Sequence, residues 1–415
     1  MKIRSITCFA THENPDGFEA VKRLGAFANA CAHAMSDIGV ETQSTRFATQ
    51  PFPEYLNLGD PTDAMQQVQE LEKHANDAGF LYLSIGTAPA NDITGMAAIP
   101  EMLANSQNVF ATCQTTTPTH ALSMPAVLKC ADVIITNAKN GGDGFTNLRF
   151  AALANVDAHV PFFPAAFHDG GAPACGLAME CADVVLGGLV QSSSLSDARQ
   201  QILGELEQAA RMISNALIPL CEQHGVRWLG FDFSPAPFPT EWCSLAAAIE
   251  RMGGMIGQHG ALASAAWVAD MLDAGRWQRC GFNGLMLPVL EDARMAERTR
   301  GGQLTTKDLL MYSAVCGTGL DTVPLPGGVT RDQIAALLMD ISALALRLDK
   351  PLTARLMPIP GLTAGERTQY DFTYFINGEV MRLDGSAAGG WLQSEGPIPL
   401  SAKRRTGRGN ISEPA

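Results

Sequence analysis

Apolar positions along the chain alternate between two periods. A stripe of Phe18, Val21, Leu24, Phe27, Ala28 and Cys31 at helical spacing follows Asn14-Pro15-Asp16, where a capping residue precedes proline at the first helical position. This predicts a helix with one buried face. Residues 62–78 repeat the pattern more weakly up to Gly79, and the short apolar run at 80–85 then reads as a buried strand. Strand-like runs follow at 108–113, 132–136, 149–155, 183–186 and 226–231, interleaved with helical stretches at 100–105, 118–131 and 197–224. In the last of these Ile202, Leu203, Leu206, Ala210, Ile213, Leu217 and Leu220 form one face, and Gly225 ends it. Thr330 and Gln333 have capping-box spacing for a helix running to about Lys350; Pro351 blocks its continuation, and 353–359 reads as a strand. Alternation of this kind predicts an α/β fold with mostly parallel strands.

Composition enlarges the expected core. Charged residues make up 17% of the 415, against roughly 25% in an average soluble domain, and 46% are hydrophobic. The net charge is −13, and the basic residues Lys403, Arg404, Arg405 and Arg408 crowd into the tail, so the body is more acidic still. Such a field repels phosphate backbones and anionic membranes, and neither nucleic acid nor membrane is an expected partner. No apolar run reaches eighteen residues, and Met1-Lys2-Ile3-Arg4 enters a strand without a signal-peptide core, which predicts a soluble, cytoplasmic protein. The ten cysteines include no C-x-x-C pair, against zinc ribbons, iron–sulfur clusters and disulfide scaffolds. No Ser/Gly linker divides the chain, so one domain is expected over 1–397, with a basic flexible tail at 398–415. Abundant Gly, Ala and Met suit a homo-oligomer that also buries surface between copies.

In parallel α/β folds ligands sit beyond the carboxyl ends of strands, which directs attention to the segments there. Asp232, in Phe231-Asp232-Phe233-Ser234-Pro235, is placed to act as a base or bind a cation, or else to cap a turn. Glu291-Asp292, after an apolar run, reads as a Mg²⁺ or Ca²⁺ anchor or as the acidic first turn of a helix. Cys316, between Val315 and Gly317-Thr318-Gly319, is either a nucleophile activated by a neighbouring cation or a packed thiol, with Asp321 close behind. Gly317 and Gly319 would let backbone approach a ligand closely. Thr116, in Thr115-Thr116-Thr117-Pro118, offers a hydroxyl to an anion or to a helix cap. His168 and His259 lie in glycine-rich settings without a second histidine at metal-ligand spacing, so a histidine-based zinc site is not expected. Asn140-Gly141-Gly142-Asp143-Gly144 matches neither phosphate-binding glycine motif, leaving no nucleotide cofactor indicated.

Four of these motifs carry a family resemblance. The run from Val315 to Gly327, Pro288-Val289-Leu290-Glu291-Asp292, Ala166-Phe167-His168 and Phe231-Asp232-Phe233-Ser234-Pro235-Ala236-Pro237 resemble the DUF711 family, also called UPF0210, in the same order. The resemblance runs from Ile3 to about Pro397 and is strongest over 225–360. It implies a single large α/β barrel similar to the pyruvate formate-lyase-like fold of glycyl-radical enzymes and ribonucleotide reductase large subunits. It supplies no reaction. The tail Arg405-Thr406-Gly407-Arg408-Gly409-Asn410 departs from the Arg-Val-x-Gly-Tyr type of glycyl-radical loop, so radical chemistry is not expected. His12-Glu13 and Gln50-Pro51-Phe52-Pro53-Glu54-Tyr55 depart from the family pattern and are loops that would set substrate choice or are drifted surface.

The expectation is therefore an enzyme acting on a small polar metabolite at a barrel mouth by acid–base or cation-assisted chemistry. Asp232, Asp321, His168 and Cys316 would be its catalytic groups; Gly317, Gly319, Thr116 and His259 would bind substrate, and Glu291 and Asp292 would hold a divalent cation. The alternative is a metabolite-binding regulatory protein without catalysis.

Overall fold

Alternating helices and strands build one large mixed sheet in the computed structural model, which describes residues 1–12, 17–315, 318–385, 389–394 and 396–402. The strands are β1 (Lys2–Phe9), β2 (Thr45–Ala48), β3 (Tyr82–Ala88), β4 (Val109–Gln114), β5 (Thr116–Thr117), β6 (Ala121–Leu122), β7 (Phe150–Ala154), β8 (Ala174–Glu180), β9 (Arg227–Ala236), β10 (Gly319–Pro326), β11 (Leu352–Ile359) and β12 (Ile398–Pro399). Nine of them lie in the order β10-β11-β7-β4-β3-β2-β1-β8-β9. Strands β7, β4, β3, β2 and β1 form a parallel block. At each side an antiparallel joint, β1 with β8 and β11 with β7, leads to a two-stranded parallel pair. The short strands β5, β6 and β12 make a separate small sheet, so Ile398–Pro399, at the start of the expected tail, pair with Ala121–Leu122.

Two expectations need correction here. The sheet is not closed by strand pairing into a barrel among the described residues: β10 and β9 remain its two ends. Instead the non-strand segment 279–292 lies against both, through parallel bridges of Arg279 with Phe231 and of Pro288 with Asp321. The expected strands at 132–136 and 183–186 are helical. Residues 132–136 belong to α4 (Met124–Lys139), capped by Ser123, and 183–186 to α5 (Ala182–Gln191). Short apolar runs fit either state, and tertiary packing settled these two as helix.

Helices cover one face of the sheet. Among them α1 (Gly17–Asp37), α2 (Pro61–Asp77), α3 (Ile93–Ala104), α4, α5 and α6 (Leu195–His224) pack their apolar stripes on Ile6, Phe47, Leu83, Ile85, Val109, Cys175 and Leu177 of the strands. The Asn14-Pro15-Asp16 cap expected before α1 lies outside the described residues. Gly225 ends α6 in the left-handed conformation at φ 65°, and Thr330 with Gln333 makes the full reciprocal capping box expected of them.

The opposite face is built differently. Two non-helical segments, 155–173 and 279–292, run across it with Phe162, Phe163, Ala165, Ala166, Phe282 and Met286 buried. Their backbone needs partners in the interior, and side chains of the strands provide them. The Ser5 and Thr7 hydroxyls donate to the Pro161 carbonyl at 3.3 and 3.1 Å. Ser84 donates to Ala166 at 2.6 Å, and Gln114 donates to Val156 at 3.0 Å. The buried Ser and Thr of the strands are thus receptors for loop backbone.

Candidate functional site

One band of side chains on this loop-covered face is charged. Along each strand successive side chains alternate between faces, so Phe47 of β2, Leu83 of β3 and Ala354 of β11 join the helical core. Their neighbours Arg46, Tyr82 and Arg355 line a half-open cavity together with Arg4, Ser44, Phe110, Phe163, Glu291 and Tyr374. It holds about 550 Å³ of space counted out to its mouth. Arg4, Arg46, Tyr82 and Phe110 all sit at or near the first residues of β1 to β4. The cavity therefore opens at the amino-terminal ends of the central parallel strands, not at the carboxyl ends where the search from sequence was directed.

Its floor is an ion-pair web. Arg355 donates from Nε to Asp321 Oδ1 at 2.5 Å and from Nη2 to Asp321 Oδ2 at 2.9 Å, a bidentate pair, and Nη2 also reaches Glu291 Oε1 at 2.9 Å. The other Glu291 oxygen accepts from Arg4 Nη2. Both carboxylates and Arg355 are buried. Burial works to raise the Glu291 carboxyl, but the Arg4 and Arg355 guanidiniums outweigh it and hold the group below its ordinary value. Burial lifts the Asp321 carboxyl against the pull of Arg355.

Arg46 is the exception in this web. Its Nε donates to Ser44 Oγ at 3.0 Å, and its guanidinium carbon lies 5.5 Å from the Tyr82 ring centre and 5.3 Å from that of Phe163. Among the described residues no carboxylate comes within ion-pair distance of it. Burial, with Arg4 adding to it, pushes Arg46 down to about 9, still charged at neutral pH. Wedged between two aromatic faces, with no carboxylate on its Nη donors among the described residues, this guanidinium is equipped to receive an anion. Tyr82 stands beside it; burial raises its phenol, against the opposing pull of Arg46, so it is a neutral proton donor at neutral pH.

The residues singled out from sequence have mixed positions. Asp321 and Glu291 belong to this cavity, as partners of arginine. Asp292 has partners of its own: its Oδ1 accepts from Ser244 Oγ at 2.6 Å and from the first amides of α9 (Ala293–Arg298), and its Oδ2 from the Ala246 amide at 3.1 Å. Guanidiniums on one carboxylate and helix-cap donors on the other take the positions a divalent ion would need. Asp232 is a structural pin. It accepts from the Ser234 hydroxyl at 2.6 Å and from the amides of Ser234, Phe282 and Asn283 at 2.9 to 3.0 Å, tying segment 279–292 to β9. Gly281, at φ 71°, makes this possible, since a Cβ there would sit 2.3 Å from Asp232 Oδ2. Gly319 is a second such requirement, at φ 101° with a would-be Cβ 2.2 Å from the Thr353 carbonyl, so it serves the close approach of β10 to β11 rather than a ligand. Thr116 Oγ1 accepts from the Asn155 amide at 2.8 Å, and His259 is exposed in the turn before α8 (Ala261–Asp273). Cys316 and Gly317 lie outside the described residues.

His168 has a partner that spacing alone did not disclose. His159, nine positions earlier, sets its Nε2 2.8 Å from His168 Nδ1, and Asp169 completes a cluster distinct from the arginine cavity. Sequence reasoning missed His159, Arg4, Arg46 and Arg355. A signal was present for Arg355, which stands inside the apolar strand run Leu352–Ile359, where arginine is almost never buried unless paired.

Comparison with known proteins covers nearly the whole of this architecture. The family described as "Uncharacterised ACR (DUF711)" matches residues 1–374, a span that holds every residue of the arginine cavity. A UPF0210 protein of Pyrobaculum islandicum is 30% identical over 388 residues, 89% of this chain and 83% of the relative. UPF0210 proteins of Acetivibrio thermocellus, 25% identical over 387 residues (89% and 85%), and of Limosilactobacillus reuteri, 25% over 359 residues (81% and 78%), are similar in the same way. With the family match and these relatives running through both the helical core and the arginine-lined face, the chain belongs to the DUF711 family, also called UPF0210.

Proposed function

We propose that this protein is an enzyme for a small anionic metabolite, bearing a carboxylate or phosphate, which it binds in the arginine cavity. The observation that carries the reading is Arg46: a charged guanidinium in a cavity wall, flanked by aromatic rings, with no carboxylate at ion-pair distance among the described residues. An incoming anion would regain the charge pairing that burial denies this group, while the rings of Tyr82, Phe110 and Phe163 suit a planar or apolar body. Tyr82 is the proton donor in this reading, since it is the neutral acid next to the anion receptor. Glu291 and Asp321 act through the arginines they hold in place. Segment 279–292, laid against both edge strands, supports reading the architecture as a barrel-like enclosure around this cavity.

The test is calorimetric titration with a panel of small carboxylates and phosphate esters, followed by turnover assays on whatever binds. Arg46→Met should weaken binding by about 10- to 150-fold, a loss of about 1.5–3 kcal/mol as for a hydrogen bond to a charged group. Tyr82→Phe should retain binding and lose turnover. Binding unaffected by Arg46→Met would refute the site. Tight binding with no product from any ligand would instead favour the regulatory, non-catalytic reading.

A further inference from the structure

The second cluster brings the two arms of segment 155–173 together near the carboxyl ends of β1 and β2. His159, His168 and Asp169 there present three ligand atoms, His159 Nε2, His168 Nδ1 and Asp169 Oδ1, all within 4.8 Å of one another. Their separations are 2.8, 3.2 and 4.0 Å. Ligands on a tetrahedral zinc at about 2.0–2.1 Å stand about 3.3 Å apart, the middle of that range.

Lone pairs are the heart of the argument. In the neutral state two ring nitrogens and a carboxylate oxygen converge on one spot, and one ring proton between them, on whichever histidine carries it, can serve only one of these contacts. A cation placed between them would accept all three lone pairs at once. Arg227, with Nη2 3.4 Å from His159 Nε2, stands to one side as an exposed competitor. His168 Nε2 is buried without a partner in either tautomer, so giving up the Nδ1 proton to a metal creates no additional unpartnered nitrogen.

The backbone presets this arrangement. His159 donates its amide to the Phe167 carbonyl and His168 donates its amide to the Thr49 carbonyl, both at 2.8 Å, so the loop between them is closed by main-chain bonds. His159 adopts a left-handed φ of 66°, a costly conformation for a side-chain-bearing residue, while Phe9 meets its ring edge-on at 5.3 Å. Gly170 and Gly171, at φ 97° and 79°, turn the chain directly after Asp169. Asp169 is 60% exposed, so the cluster is fixed on the histidine side and open to solvent on the carboxylate side.

We infer that His159, His168 and Asp169 form a binding site for a first-row transition-metal dication of the zinc type, with a fourth position open to water. Two imidazoles and one carboxylate select such an ion over Mg²⁺ or Ca²⁺, which take oxygen ligands. The inference does not depend on the arginine cavity or on any reaction there.

The experiment is titration of chelator-treated full-length protein with Zn²⁺ by calorimetry, repeated with Co²⁺ for its visible absorption. One equivalent should bind at this site, with the intense Co²⁺ bands of a four-coordinate centre. Asp169→Asn, an exposed change, and His159→Gln should each lower affinity by more than the roughly 10–100-fold that a mere supporting residue costs. Arg227→Ala should tighten binding by removing the competing cation. Stoichiometric binding unchanged in Asp169→Asn and His159→Gln would assign the metal elsewhere and overturn the site. So would no binding to wild type and to Arg227→Ala alike, which would leave a proton or Arg227 as the group that holds the cluster.

Discussion

The two faces of the sheet are held by different physics. On the helical face Ile202, Leu206, Ile213 and Leu217 of α6 join an apolar core with strand side chains such as Cys175 and Leu177, and the contact is tolerant in kind: area removed from water sets its strength. On the loop face the strands present Ser5, Thr7, Arg46, Ser84 and Arg355, and each interaction there is directional. The first face makes a fold. The second makes a cavity whose charges are met by directional partners, and the proposed binding site rests on it.

The sharpest break of this comparison is Arg355→Leu. Removing it leaves Asp321 with no cation and Glu291 with only Arg4, both carboxylates buried, and breaking a buried pair from one side costs about 3–5 kcal/mol. Urea unfolding should show that loss, and the double variant Arg355→Met with Asp321→Leu should recover part of it, because well-packed apolar groups can replace a buried pair. A single-variant loss below about 1 kcal/mol, the size of a surface pair, would mean that the web is not holding the face. On the helical side Leu206→Ala should cost about 2–5 kcal/mol through a cavity under α6. It should leave ligand affinity in the arginine cavity unchanged; an equal loss of binding would show that the two faces are not separable.

The same division explains what could be read in advance. Periodicity recovers α1, α2, α6 and the helix Arg331–Leu348 because each writes a single apolar stripe against the core, and capping residues mark the ends of the last two. It fails at α4 and α5, where Val133-Ile134-Ile135 and Val184-Val185-Leu186 are helix residues with strand-like chemistry. The loop face is illegible for another reason. Its partners come from far apart in the chain: Arg4 with Glu291, Asp321 with Arg355, Asp232 with the amides at 282–283. A carboxylate after a strand looks the same in sequence whether it meets solvent, a metal or a guanidinium. Asp321 and Glu291 are therefore legible as residues but not as partners of arginine, while Asp232 has the turn-holding bonds that were one of its two readings. Arg4, Arg46 and Arg355 were passed over because attention went to strand ends, and these arginines stand within strands.

The smallest expected effect probes the web without dismantling it. Glu291 has its carboxyl held below the ordinary value of 4.5 in the folded protein, so the unfolded chain takes up that proton first as pH falls. Its contribution to stability is therefore fully present above about pH 4.5 and drains away below it, as the pH approaches the lowered folded value. Asp321 is raised by burial and contributes with the opposite sign, gaining as acid is added, so the raw pH profile of the wild type mixes the two. The difference between wild type and Glu291→Gln isolates the first. Urea midpoints measured between about pH 6 and about pH 3 should give a difference that is constant down to about pH 5 and then narrows. A difference that stays flat across the whole range would mean that Arg4 and Arg355 gain nothing from the Glu291 charge. The loop face would then be held by its hydrogen bonds alone, and the distinction between the two faces would be one of polarity without charge.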